Sequence, residues 1–149
     1  MNIKVVNLQI VDRYEITIEA KNEYVYGVGD AAPVFCSMIG KLNIEVLALL
    51  CLDNANKIIN YSTVAMGEIN KVRVPLAQIL KIALISNSSS IVIAHNHPSG
   101  VLEITNSDIE MTRRIGRALN FFDIQLLDSL VVNDTNAVSI RGNLENIDD

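Results

Sequence analysis

Residues 44–52, IEVLALLCL, constrain the fold more than any other stretch. Every position but Glu45 is apolar, so neither face of a strand built from them can meet water. A half-exposed strand alternates; a continuous run belongs inside a sheet covered on both faces. Such a strand demands helices on either side, and the chain offers three. Leu76, Ile79, Leu80, Ala83 and Leu84 recur at helical spacing and predict a helix over 75–86, begun by Pro75. Ile109, Thr112, Ile115 and Leu119 form one stripe of a helix over 106–120. Asp30 predicts the cap of a third over 31–39, with Pro33 in its first turn and Gly40 at a C-terminal position of positive φ.

The remaining strands are shorter. Asp53-Asn54-Ala55-Asn56 is a turn cluster, and 57–66 returns from it. Residues 91–94 make a buried strand, and 124–132 with 137–141 close the sheet. At the N-terminus, 4–10 and 14–20 alternate apolar and polar residues, predicting two half-buried strands around Asp12-Arg13. The tail 144–149 is acidic and expected to fray. No repeat or linker interrupts the 149 residues. The expectation is a single α/β domain, a mixed sheet with helices packed on its faces, its core over about 30–141.

Charge narrows the partners. The net charge of −5 argues against a nucleic-acid surface, because duplex binding is carried by Lys and Arg on phosphates. Arg113, Arg114 and Arg117 form the sole basic cluster and read as a solvated helix face. Cys36 and Cys51 lie in apolar surroundings without CxxC spacing, as reduced, buried thiols of a cytosolic protein do. The N-terminus lacks a basic segment followed by an apolar one, and the run 46–52 is too short to span a bilayer. A cytoplasmic protein with no membrane partner is expected.

The chemistry concentrates in 91–108. Both histidines of the chain, His95 and His97, stand one residue apart at the end of an apolar strand. Residues i and i+2 of a strand share a face, so both imidazoles aim at one point while Asn96 faces away. Pro98 turns the chain out, and Asp108 arrives in the first turn of the next helix. Two imidazoles and a carboxylate leave one tetrahedral position open, the arrangement of a catalytic zinc. Thr105-x-x-Asp108 equally spells a capping box, and the two readings of Asp108 are compatible. The letters HNH also suggest a nuclease, but those enzymes spread their histidines over a ββα unit.

With the seven residues from Pro98 to Ile104 between them, His95-Asn96-His97 and Thr105-x-x-Asp108 resemble the JAMM/MPN+ motif, HxH-x7-[S/T]-x2-D. HNHPSG, the helix after it and 124–132 are similar to the bacterial RadC-like JAB domain, over roughly 33–141. Glu45 through Leu52-Asp53 matches that family's upstream glutamate and strand. The resemblance implies a zinc-dependent peptidase or isopeptidase of cytidine-deaminase-like architecture, acting on a peptide or protein conjugate. It implies one zinc per chain, held by His95, His97 and Asp108. It gives Glu45 the part of general base and then acid, and Thr105 that of the hydroxyl stabilising the oxyanion. The helix-hairpin-helix region of longer RadC proteins is not expected within these 149 residues.

Physical chemistry supports those roles. Zinc brings the pKa of bound water to about 7, and a carboxylate off the metal must still accept its proton, a step of roughly 10²–10⁴ in rate. Glu45, a lone charge at the edge of an apolar run, suits a tuned base, or else is an exposed residue at a strand start. Two departures from the family stand out: Asp128-Ser129 where it carries Asp-His, and an apolar loop over 101–104. A non-catalytic binding module on the same fold is the alternative they leave open.

Overall fold

The computed structural model describes residues 1–68 and 74–143, so the expectation for the tail lies outside the described residues. Strand β1 (Val46–Leu52) is buried at all seven positions. Its alternate side chains enter two separate cores. Val46, Ala48, Leu50 and Leu52 join Phe35 and Ile39 on one face, whereas Leu47, Leu49 and Cys51 join Ile79, Met111 and Ile115 on the other. A central strand between two apolar layers needs no polar face, which accounts for the unbroken run.

Four more strands complete the sheet: β2 (Ile58–Met66), β3 (Ser90–Asn96), β4 (Gln125–Val132) and β5 (Ala137–Ser139). Their order is β2-β1-β3-β4-β5. Among the described residues only β3 and β4 run parallel; the other pairs are antiparallel. Helix α1 (Val28–Ile39) covers the first core, and α2 (Leu76–Ile85) with α3 (Asn106–Asn120) covers the second. Helix α3 is the crossover between the parallel strands, so its N-terminus returns to the carboxyl end of β3. The α/β class is therefore as expected.

The structure corrects the N-terminus. Neither 4–10 nor 14–20 is a strand; most of these residues are exposed and make no ladder. Alternation creates a strand only where a partner edge accepts its backbone, and pairing begins at the isolated bridge Tyr24–Lys57. Helix α1 also starts earlier than expected. Extended Gly27 is its N-cap, and Asp30, inside the first turn, accepts a hydrogen bond from the Tyr26 N–H at 2.9 Å. Pro33 consequently sits in the second turn, where its missing N–H removes the bond to the Gly29 carbonyl. Gly40 has φ −61°, not a positive value. Its role is close approach: a Cβ there would run into the carbonyl oxygens of Asn133 and Cys36.

Candidate metal centre

Register assembles the site. β1 and β3 are antiparallel, with Leu47 opposite His95 and Ala48 opposite Ala94. Continuing that register by two residues sets Glu45 beside His97. Partners across a ladder share a face, so Glu45, Leu47, His95 and His97 all look toward α3. The charge that interrupts the apolar run thus meets the two histidines although about fifty positions separate them.

The ligand atoms converge. A nitrogen from each of His95 and His97 and a carboxylate oxygen of Glu45 all lie within 4.8 Å of one another. The two Nε2 atoms are 3.1 Å apart. Asp108 reaches both imidazoles, with Oδ1 2.9 Å from His95 Nε2 and Oδ2 3.5 Å from His97 Nε2. In a tetrahedral zinc site with bonds of about 2.0 Å the ligand atoms are about 3.3 Å apart, the scale of these separations. His95 is fully buried, Asp108 nearly so, and Glu45 half-buried.

Local structure orients each group. Thr105 is the N-cap of α3, and the capping box is complete: its Oγ1 accepts from the Asp108 N–H, and Asp108 Oδ2 accepts from the Thr105 N–H at 2.8 Å. The other oxygen of Asp108 is the one nearest His95, so capping and contact with that imidazole use different atoms. Thr105 itself is exposed at the site's rim. The Val101 carbonyl lies 3.2 Å from His97 Nδ1, an acceptor that keeps a proton on Nδ1 and the lone pair on Nε2. The apolar 101–104 loop therefore contributes through its backbone. Asn133 anchors that loop by donating to the Gly100 carbonyl at 3.1 Å.

The carboxylate and the imidazoles shift one another's titration. Asp108 Oδ2 and His97 Nε2 both present lone pairs unless His97 is protonated. Hydrogen bonding to Asp108 raises the His97 pKa above its ordinary 6.5 against burial, with Asp108, the Val101 carbonyl and Glu45 adding to the rise. Burial would raise the Asp108 carboxyl, yet hydrogen bonds from both histidines outweigh it and hold that group well below the usual range. A divalent cation bound here would take the place of the protons that these groups share. One feature differs from the usual metal-bound histidine: His95 Nδ1 is buried with no hydrogen-bond partner among the described residues.

Two residues carry more than their sequence showed. Asn96, expected only to face away, is fully buried and holds backbone on the other side of the sheet, accepting from the Val46 N–H at 2.7 Å. A buried amide must find partners, which was the available signal. Ser129, the departure from the family pattern, is fully buried and accepts from Thr112 Oγ1 at 2.9 Å, tying β4 to α3 one turn beyond Asp108. Both cysteines are free and buried, and burial raises their pKa values, so neither is an activated nucleophile. No helix among the described residues is long and apolar enough to cross a membrane.

A family model described as the RadC-like JAB domain matches residues 26–145, seven residues further upstream than the resemblance read from the motif. Among similar proteins, one named UPF0758 protein from Cellvibrio japonicus is 44% identical over 96 residues, which is 64% of this chain and 43% of that one. Another of that name from Finegoldia magna is 36% identical over 110 residues, covering 74% of this chain and 49% of the relative. A third, from Acidithiobacillus ferrooxidans, is 37% identical over 97 residues, or 65% and 43%. The aligned regions span about half the length of these curated relatives.

Proposed function

This chain belongs to the RadC-like JAB domain family, and on that premise we propose that it is a zinc-dependent hydrolase of amide bonds, a peptidase or isopeptidase. The observation that carries the reading is the meeting of Glu45 with His95 and His97 from different strands, next to a carboxylate that already touches both imidazoles. His95, His97 and Asp108 are the ligands in this account, and Glu45 is the base. Zinc, when bound, brings the pKa of water to about 7 and polarises the scissile carbonyl.

The chain's own groups supply the rest. Glu45 takes a proton from the attacking water as the water oxygen bonds to the carbonyl carbon and the C=O electron pair moves to oxygen. Thr105 Oγ1 spends a lone pair on the Asp108 N–H, so its O–H remains to donate to that oxygen. When the tetrahedral carbon collapses, the C–N bond breaks and the proton on Glu45 passes to the leaving amine. No atom is left over, and no further reactant is required.

The substrate in this reading is a peptide or protein conjugate in a reducing cytoplasm, a setting supported by the two free thiols. The acidic charge supports no nucleic-acid role. Glu45→Gln tests the proposal: the variant keeps zinc and loses hydrolysis. Loss of zinc would instead make Glu45 a ligand. Unchanged hydrolysis would remove it from the chemistry, and a wild-type chain that binds zinc without cleaving amides would be a binding module.

A further inference from the structure

Between the two histidines stands Asn96, buried on the opposite face of β3. Its amide grips the chain on both sides of Glu45. Oδ1 accepts from the Val46 N–H at 2.7 Å, and Nδ2 donates to the Ile44 carbonyl at 3.0 Å and the Leu42 carbonyl at 3.1 Å. Just past the end of β2, the Gly67 N–H donates to the Glu45 carbonyl at 2.8 Å. Residue 45 precedes β1 and lies outside its ladder, so strand pairing with β3 alone does not hold it. Asn96 adds a connection from the β3 side.

We propose that Asn96 is a positioning residue that sets the distance between Glu45 and the metal. The inference rests on the function proposed above and deepens it. Because Asn96 is flanked by His95 and His97, any movement of the ligand pair along β3 carries the clamp, and with it Glu45. One buried amide thereby keeps the proton acceptor in register with the ligands, using backbone contacts and no charge. An amide is suited to this: it offers one acceptor and two donors, and the segment presents one N–H and two carbonyls. A carboxylate or a hydroxyl of similar size cannot satisfy all three. Reactive geometry is steep in distance, so a base displaced by about 1 Å costs on the order of 100-fold in rate.

The test uses Asn96→Ala and the near-isosteric Asn96→Asp, which retains the acceptor for Val46 and loses both donors. Four quantities are read on the full chain: zinc per chain, kcat and KM on a cleavable peptide conjugate, and the Glu45 carboxyl ¹³C resonance with and without zinc. The expected result is full zinc occupancy, unchanged KM, a kcat lower by about 100-fold for Asn96→Ala and by at least as much for Asn96→Asp, which sets an oxygen against the Leu42 and Ile44 carbonyls, and a Glu45 resonance that no longer responds to zinc. Faster exchange of the Val46 amide accompanies this, with the β3 amides unchanged. If Asn96→Ala does not fold, the same criteria apply to Asn96→Asp alone. Wild-type kcat and a wild-type zinc response in the folded variants would overturn the proposal, and so would loss of zinc in parallel with kcat. Should the wild type and Glu45→Gln be equally inactive, the proposed hydrolysis fails. The zinc response of Glu45 and its loss in the Asn96 variants would still decide the clamp.

Discussion

Asp108 Oδ1 lies 2.9 Å from His95 Nε2, while Oδ2 of the same carboxylate holds the Thr105 N–H that opens α3. One side chain therefore fixes where the helix starts and where the imidazole points. Orientation of that imidazole and capping of the helix are mechanically the same feature here. A substitution at Asp108 acts on both.

Asp108→Asn separates them in part. The amide oxygen can still accept from Thr105, so the helix start survives, but the charge that compensates a cation is gone. Zinc affinity is expected to fall by at least 10-fold, the scale on which even outer partners of metal ligands act, and the metal-free protein should melt at a lower temperature near neutral pH, because the charge paired with the imidazoles is gone. A chelator competition beside a melting curve reads both. Equal zinc affinity in variant and wild type would remove Asp108 from the ligand set.

Thr105→Ala and Thr105→Ser divide the cap from the hydroxyl's chemistry. Alanine loses the acceptor for the Asp108 N–H and should cost about 1 kcal/mol of stability together with hydrolysis. Serine keeps the hydroxyl and should retain both. Denaturant midpoints and kcat measured on the two variants check this, and an alanine variant with full activity would assign Thr105 to capping alone.

The pH response has a definite sign. Zinc requires a neutral imidazole, and the His97 pKa is raised above 6.5, so zinc affinity should climb as pH rises through that raised value and level off beyond it. Without metal the trend reverses. The raised His97 pKa gives stability that is full below its unfolded value and lost as pH rises through the folded one. The lowered Asp108 pKa gives stability present above about 3.9 and lost as pH falls toward its folded value. Metal-free protein should therefore be most stable in mildly acidic buffer. Stability that rises steadily with pH from 6 to 9 without metal would contradict the His97 assignment.

Gly40→Ala probes the fold away from the site. The added Cβ meets two backbone carbonyl oxygens, of Asn133 and Cys36, and neither can step aside as a side chain would. A loss of about 1–3 kcal/mol is expected in equilibrium unfolding, as for overpacking elsewhere. A neutral result would show that the end of α1 and the β4–β5 connection are looser than they look.

Much of this was legible in the sequence because it follows from periodicity. The run at 44–52 specified a central strand, which forms over Val46–Leu52, and the stripe from Ile109 to Leu119 specified α3. The alternation of 4–10 and 14–20 misled, because pattern describes a strand's faces and says nothing about whether an edge is available to pair with it. Gly40 misled for a related reason: a glycine at a helix end satisfies either a left-handed turn or a close approach, and only the packing of Asn133 against it distinguishes them. At the site, His95, His97 and Asp108 were readable from local spacing. The nearness of Glu45 to His97 comes from the β1–β3 register, which no local spacing states. Asn96 was seen only as the residue that points the other way. Its partners, the backbone of residues 42, 44 and 46, exist only once that register brings them there.

The central claim is tested most directly by a crystal structure of the zinc-loaded protein with diffraction recorded on both sides of the zinc absorption edge. The account predicts one anomalous peak per chain, at about 2.0–2.2 Å from His95 Nε2, His97 Nε2 and an Asp108 oxygen, with the Glu45 carboxylate one water away. A peak bonded directly to Glu45, or the absence of any peak among these residues in protein that holds zinc, would contradict it.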